Sequence, residues 1–119
     1  MGKMILFVDD DRHWRLVVET ALKEAGYEVV AVKDAREAIL RLDQVEPGLI
    51  ILDLDLGGEN GLMLMKLVKK HHPEVPVILY TGMEHDDQFV QSMLQQGAQQ
   101  YLHKGRPEDL LKAVQTAMK

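Results

Sequence analysis

A set of acids, one hydroxyl and one lysine in this chain have the types and spacing to do chemistry together. They are Asp9, Asp10 and Asp11 in "FVDDD", Asp53 and Asp55 in "LIILDLDLGGENG", Thr81 in "VPVILYTG" and Lys104 in "YLHKG". Each group sits where a short apolar run ends. A carboxylate in such a place can act as a nucleophile, and a hydroxyl can donate a hydrogen bond. A lysine can neutralise an anion. Oxygen ligands without histidine or cysteine suit a hard divalent cation such as magnesium or manganese. The alternative for each residue alone is plain: Asp53 is a strand-end acid meeting solvent, Thr81 a turn residue, Lys104 a solvated lysine, and Asp11 a helix cap.

The choice depends on the elements that position them. Met4 to Val8 is a short apolar strand. Trp14, Val17, Val18, Ala21, Leu22 and Ala25 then recur at helical spacing up to Gly26. Tyr27 to Val32 reads as a strand, and Asp34 caps a helix carrying Ala35, Ala38, Ile39, Leu42 and Val45. Leu49 to Leu52 is the third strand. Asn60 caps a helix carrying Met63, Leu64, Leu67 and Val68, which Pro73 ends. A fourth strand runs from Val75, and a fourth helix carries Phe89, Val90, Met93 and Leu94 up to Gly97. "AQQYLH" is the fifth strand, and Pro107 opens the last helix.

Strand and helix thus alternate five times. Near-continuous apolar strands are expected in a parallel sheet covered by helices on both faces. Such sheets bind ligands at the carboxyl ends of their strands. Asp9 to Asp11, Asp53, Thr81 and Lys104 all fall at such ends, on one rim. Two carboxylates 4 Å apart repel by about 4 kcal/mol at an effective dielectric near 20. Lys104 or a divalent cation must offset that repulsion.

Composition excludes several other classes. The chain has 119 residues, 46% of them hydrophobic, which is enough for one domain with a core. Its net charge is -5 and its longest basic run is Lys69-Lys70, so the domain is not expected to grip nucleic acid by itself. It has no cysteine, hence no disulfide and no thiolate site. No signal segment or membrane span is recognisable, so a cytoplasmic protein that does not engage membranes is expected.

Taken together, "FVDDD", "LIILDLDLGGENG", "PVILYTG" and "GAQQYLHKG" resemble the receiver domain of two-component response regulators, and the resemblance covers residues 1–119. It implies a flavodoxin-like (βα)5 doubly wound parallel sheet of five strands in order 2-1-3-4-5. It implies a phosphorylation-dependent switch rather than a turnover enzyme. Asp53 is the expected phosphoacceptor, with Thr81 and Lys104 assisting. Magnesium would be held by Asp10, Asp53 and the backbone carbonyl of Asp55, with Asp9 acting through water. Thr81 and Tyr101 would form the switch. Asp55 and Met83 would flank the path to the phosphoryl group and tune its rate.

The implied partners are a histidine kinase or phosphotransfer protein, and a downstream effector domain or docking protein. A homodimer would use the fourth helix, fifth strand and fifth helix, where Gln88, Gln91 and Gln95 offer an amide-rich surface. Two departures loosen loops beside the site: Gly57 stands where the family usually has proline, and Gly105 follows Lys104 where many members have proline. Trp14 is expected simply to pack. His71-His72 is expected on the surface, and the other histidines carry no signal.

Two rival functions differ in class. "ILDLDLG" also resembles the D-x-D motif of haloacid-dehalogenase-type phosphatases, but there the paired acids follow the nucleophile, whereas Asp9 and Asp10 precede Asp53. A phosphorylation-independent interaction module of the same fold would not need the complete set of acids, threonine and lysine.

Overall fold

The computed structural model describes residues 4–56 and 59–118. Gly57 lies outside them, and so does any effect of that glycine on the loop. The elements run β1 (Met4–Val8), α1 (Arg12–Glu24), β2 (Glu28–Val32), α2 (Ala35–Gln44), β3 (Leu49–Leu52), β4 (Asp55–Leu56), β5 (Glu59–Asn60), α3 (Gly61–His71), β6 (Val77–Thr81), α4 (Asp87–Gln95), β7 (Gln100–His103) and α5 (Pro107–Ala117).

Five strands form one parallel sheet, β2-β1-β3-β6-β7. Counting only its members, the order is 2-1-3-4-5, the doubly wound arrangement expected from the alternation. Successive strand residues point to opposite faces, and the core divides accordingly. Leu6, Val8, Ile50, Leu52, Val77 and Leu79 pack with α2, α3 and α4. Ile5, Phe7, Leu49, Ile51, Ile78 and Tyr80 pack with α1 and α5. Both faces are covered, which is why β3 and β6 are apolar at almost every position.

Helix ends follow local chemistry. Asp11, Asp34 and Asp86 each accept hydrogen bonds from backbone N–H groups of the turn that follows. Gly26 and Gly97 take positive φ just beyond α1 and α4, a conformation that only glycine adopts without steric cost. Asn60 stands immediately before α3, but its side chain is not among the described features.

Three expectations need correction. β6 begins at Val77, not Val75; Pro76 lacks an N–H, though its carbonyl accepts from Ile50 N at 3.0 Å. Val45 lies past α2 in extended backbone and is exposed, as is Ile39. On α3 the buried stripe is Gly61, Leu64, Met65 and Val68, while Met63 and Leu67 are exposed. Those buried positions keep the i, i+3, i+4, i+7 spacing one helical step away from the expected face. The loop after Asp53 also carries an antiparallel pair, Asp55–Leu56 with Glu59–Asn60, that no alternation pattern announced.

Candidate functional site

The sheet carries its acids to adjacent strand ends. Asp53 N donates to Val8 O at 2.9 Å and Asp9 N donates to Val32 O at 3.1 Å, so both residues extend the ladder by one step. Asp9 is fully buried and Asp53 is 3% exposed, whereas Asp10 is exposed. One carboxylate oxygen from each of the three lies within 4.8 Å of the others.

Local bonds hold these acids still. Asp9 Oδ1 accepts from Asp11 N at 2.9 Å, and the Arg15 guanidinium donates to the Asp9 carbonyl at 2.8 Å. Asp53 Oδ1 accepts from Asp55 N at 3.0 Å. From the far side of the site, Lys104 Nζ donates to Asp53 Oδ2 at 3.0 Å and lies 2.7 Å from Asp9 Oδ2. That second contact is a close ion pair, so the lysine ammonium faces one buried oxygen of each acid.

Burial is the largest influence on Asp53 and pushes its pKa up to about 6. The Asp55 N–H and the Lys104 ammonium work against the rise, and the charge of Asp9 adds to it. For Lys104, burial disfavours the charge, but its contacts with Asp9 and Asp53 outweigh burial and raise its pKa. The site therefore has too much negative charge for one lysine. An all-oxygen donor set of three clustered carboxylates, facing a single ammonium, fits a hard divalent cation.

Thr81 is fully buried at the end of β6, where its Oγ1 accepts from Met83 N at 3.2 Å. Its carbonyl accepts from Lys104 N at 2.7 Å, tying the hydroxyl strand to the lysine strand. The Met83 side chain is 51% exposed beside the site. Tyr101 is half-buried on β7, and burial, then the charge of Asp53, raises its pKa.

The chain bends at Leu54, so alternation does not continue from Asp53. The Asp55 side chain is exposed and lies outside the carboxylate cluster, while its backbone N–H serves Asp53.

Several residues escaped the sequence reading. His85, one of the histidines expected to carry no signal, hydrogen-bonds the Tyr101 hydroxyl and stacks on Phe89 with ring centroids 4.2 Å apart. It joins the β6–α4 loop, α4 and β7. Trp14 was expected only to pack, yet its ring faces the Lys104 ammonium at 5.3 Å. Gly61 starts α3 against the Asp53 loop, and a Cβ there would lie 2.6 Å from the Asp53 carbonyl oxygen. Of the paired histidines, His71 is exposed and His72 Nδ1 lies 3.4 Å from Glu46 Oε2.

A parallel sheet of this order, with buried acids and a lysine at its carboxyl rim, defines a doubly wound α/β receiver-type domain. Residues 5–115 match the model of the response regulator receiver domain, and the chain belongs to that family. It is 37% identical over 111 residues to the DNA-binding transcriptional regulator NtrC of Salmonella typhimurium, an alignment covering 93% of this chain and 23% of that protein. It is 33% identical over 106 residues to the phosphate regulon transcriptional regulatory protein PhoB of Pseudomonas aeruginosa, covering 87% of this chain and 46% of that protein. The chain thus spans less than half the length of either relative. The crystal structure of the receiver domain of NtrX from Brucella abortus superposes with a TM-score of 0.88 at 31% identity, covering 96% of this chain and 97% of that one. The Vibrio cholerae chemotaxis protein CheY4 superposes with a TM-score of 0.90 at 30% identity, covering 98% and 99%. Among the described residues no helix is long and apolar enough to cross a membrane.

Proposed function

We propose that residues 1–119 act as one receiver domain, a phosphorylation-dependent switch in which Asp53 accepts a phosphoryl group from a histidine kinase, a phosphotransfer protein or a small phosphodonor. The observation that carries this is the placement of the Asp53 carboxylate. It is nearly buried at a strand end, 3.0 Å from a lysine and beside two further acids.

The Asp53 carboxylate attacks phosphorus, forming an O–P bond, and the donor leaves with the electron pair of the bond it loses. The Asp55 N–H holds one carboxylate oxygen in place, and Lys104 moves from the other oxygen to the incoming phosphoryl group. Thr81 turns its hydroxyl toward the same group. Asp10, Asp53 and the Asp55 carbonyl, with Asp9 through water, would hold magnesium, which would supply positive charge against the two anions. The family binds this ion at such acids, and the carboxylate cluster supports the same use here.

Phosphorylation adds up to about two negative charges beside Thr81. Tyr101 follows Thr81 and remodels the face formed by α4, β7 and α5, which carries the exposed Gln88, Gln91 and Gln95. That face would meet an effector domain, a docking protein or a second copy, in the cytoplasm. The full acid, threonine and lysine set favours this switch over both a phosphatase and a phosphorylation-independent module.

Incubation with acetyl phosphate and magnesium, followed by intact mass, tests the assignment. One acid-labile phosphoryl group is expected on the native chain and none on Asp53→Asn. Undiminished labelling of the variant would move the acceptor elsewhere. Steady turnover of a phosphomonoester would instead favour the phosphatase.

A further inference from the structure

We propose that Trp14 is a positioning residue for the Lys104 ammonium, acting through the face of its indole ring; this rests on the reading of Lys104 as the group that contacts the phosphoryl. An ammonium has three N–H donors. One is donated to Asp53 Oδ2 at 3.0 Å, and the ammonium lies 2.7 Å from Asp9 Oδ2. On another side of the nitrogen lies the Trp14 ring, its centroid 5.3 Å away, within the range of a cation–π attraction. The Lys104 side chain is only 8% exposed, so an aromatic face stands where a lysine near the surface would meet water.

The ring is itself held on several sides. It meets the buried Tyr80 edge to face, with centroids 5.9 Å apart and planes at 90°. Tyr80 Oη accepts from Gly105 N at 3.5 Å, next to the lysine. The Trp14 backbone N donates to Asp11 Oδ1 at 3.3 Å, and Asp11 N donates to Asp9 Oδ1 at 2.9 Å. The indole thus packs on the strand that ends in Thr81, and the Trp14 backbone is anchored to the same loop that supplies the acids. It connects the first turn of α1 to the loop after β7.

The chemistry explains why an aromatic face suits this place. To serve Asp53 and then a phosphoryl group on Asp53, the ammonium must shift without being released to water. A carboxylate or amide on that side would pin it with a directional bond. A π face attracts the charge with little preference for where the nitrogen lies along the ring, and it excludes water, which strengthens the attraction to the anions. Packing alone would be satisfied by any large apolar side chain.

The test compares Trp14→Phe with Trp14→Leu and Trp14→Met. All three replacements are smaller than indole, but only Phe keeps a ring face. Phosphorylation by acetyl phosphate with magnesium is followed by intact mass, magnesium affinity by calorimetry, and the Lys104 ε-methylene protons by NMR. The Leu and Met variants are expected to label about five-fold more slowly, equivalent to about 1 kcal/mol, with the Phe variant between them and the native chain. Magnesium affinity is expected to stay within about two-fold, because the acids are untouched. The upfield ring shift of the Lys104 methylenes is expected in the native chain and in the Phe variant only. Equal rates in all variants would overturn the proposal, as would equal loss in Phe and Leu, or a parallel loss of magnesium affinity. Each of those results would leave Trp14 as packing or as support for the acid loop. No labelling of the native chain would instead overturn the proposed function, so the two failures are distinguishable.

Discussion

Replacing Asp53 by Asn should stabilise the metal-free protein. The reason lies in the cost of a buried charge that one lysine only partly offsets. Burial pushes the Asp53 pKa up to about 6, against 3.8 for an aspartate in water. Because the folded value is raised, the folded state prefers the neutral carboxyl, and charging it destabilises the fold. The penalty is absent below the unfolded pKa, grows as pH rises from about 4 to about 6, and is constant above that. That rise, from 3.8 to about 6, corresponds to about 3 kcal/mol at neutral pH. Asn has nearly the same shape, and its carbonyl oxygen can still accept from Asp55 N or Lys104. It forfeits the charge attraction to Lys104, a loss that the raised pKa already takes into account.

The expected gain is thus about 2 to 3 kcal/mol, or a midpoint higher by roughly 4 °C per kcal/mol for a domain of this length. Thermal unfolding with a chelator present, at several pH values, provides the measurement. The gap between variant and native chain should widen by about 1 kcal/mol between about pH 5 and neutral pH. Magnesium should then narrow it, because binding stabilises the native chain more than the variant. A variant no more stable than the native chain near neutral pH, or a gap independent of pH, would refute the view that Asp53 is held at an energetic cost.

Asp10→Asn should weaken magnesium binding about ten-fold or more while leaving stability nearly unchanged, since Asp10 is exposed; calorimetry reads the affinity, and an unchanged value removes Asp10 from the ligand set. His85→Phe keeps an aromatic ring to stack on Phe89 but loses the bond to Tyr101, at a cost of about 1 kcal/mol. Amide shifts of α4 and β7 should move in the unphosphorylated protein, and shifts confined to residues adjacent to position 85 would deny His85 any hold on Tyr101. Gly61→Ala should destabilise by about 2 kcal/mol or more, because the added Cβ would stand 2.6 to 2.8 Å from backbone atoms of Asp53 and Leu54. Denaturant unfolding measures this, and a neutral result would mean that the Asp53 loop yields easily.

Much of the site was legible because each key residue terminates an apolar run. Met4 to Val8 leads into Asp9, Leu49 to Leu52 into Asp53, and "VILY" into Thr81; the alternation of strands and helices then places all three at one rim. Hydrophobic periodicity also marked most elements, and residue type marked the Asp34 cap of α2 and Pro107 at the start of α5. Periodicity is a local signal, however. It placed the α3 stripe on Met63, Leu64, Leu67 and Val68; Leu64 and Val68 are buried, but packing on the sheet takes Gly61 and Met65 in place of Met63 and Leu67. The bend at Leu54, which lets the Asp55 N–H reach the Asp53 carboxylate, likewise has no signal in the hydrophobic pattern. Tertiary structure alone decided the long-range pairs. Lys104 reaches Asp53 across 51 positions of sequence, and His85 reaches Tyr101 from a loop with no distinguishing pattern. Trp14 meets Lys104 because both helices flanking one face of the sheet, α1 and α5, start beside the same rim. Such distances are set by sheet order, strand register and the depth at which each helix packs. No residue type or spacing along the chain encodes them by itself, since they exist only once the crossovers have closed.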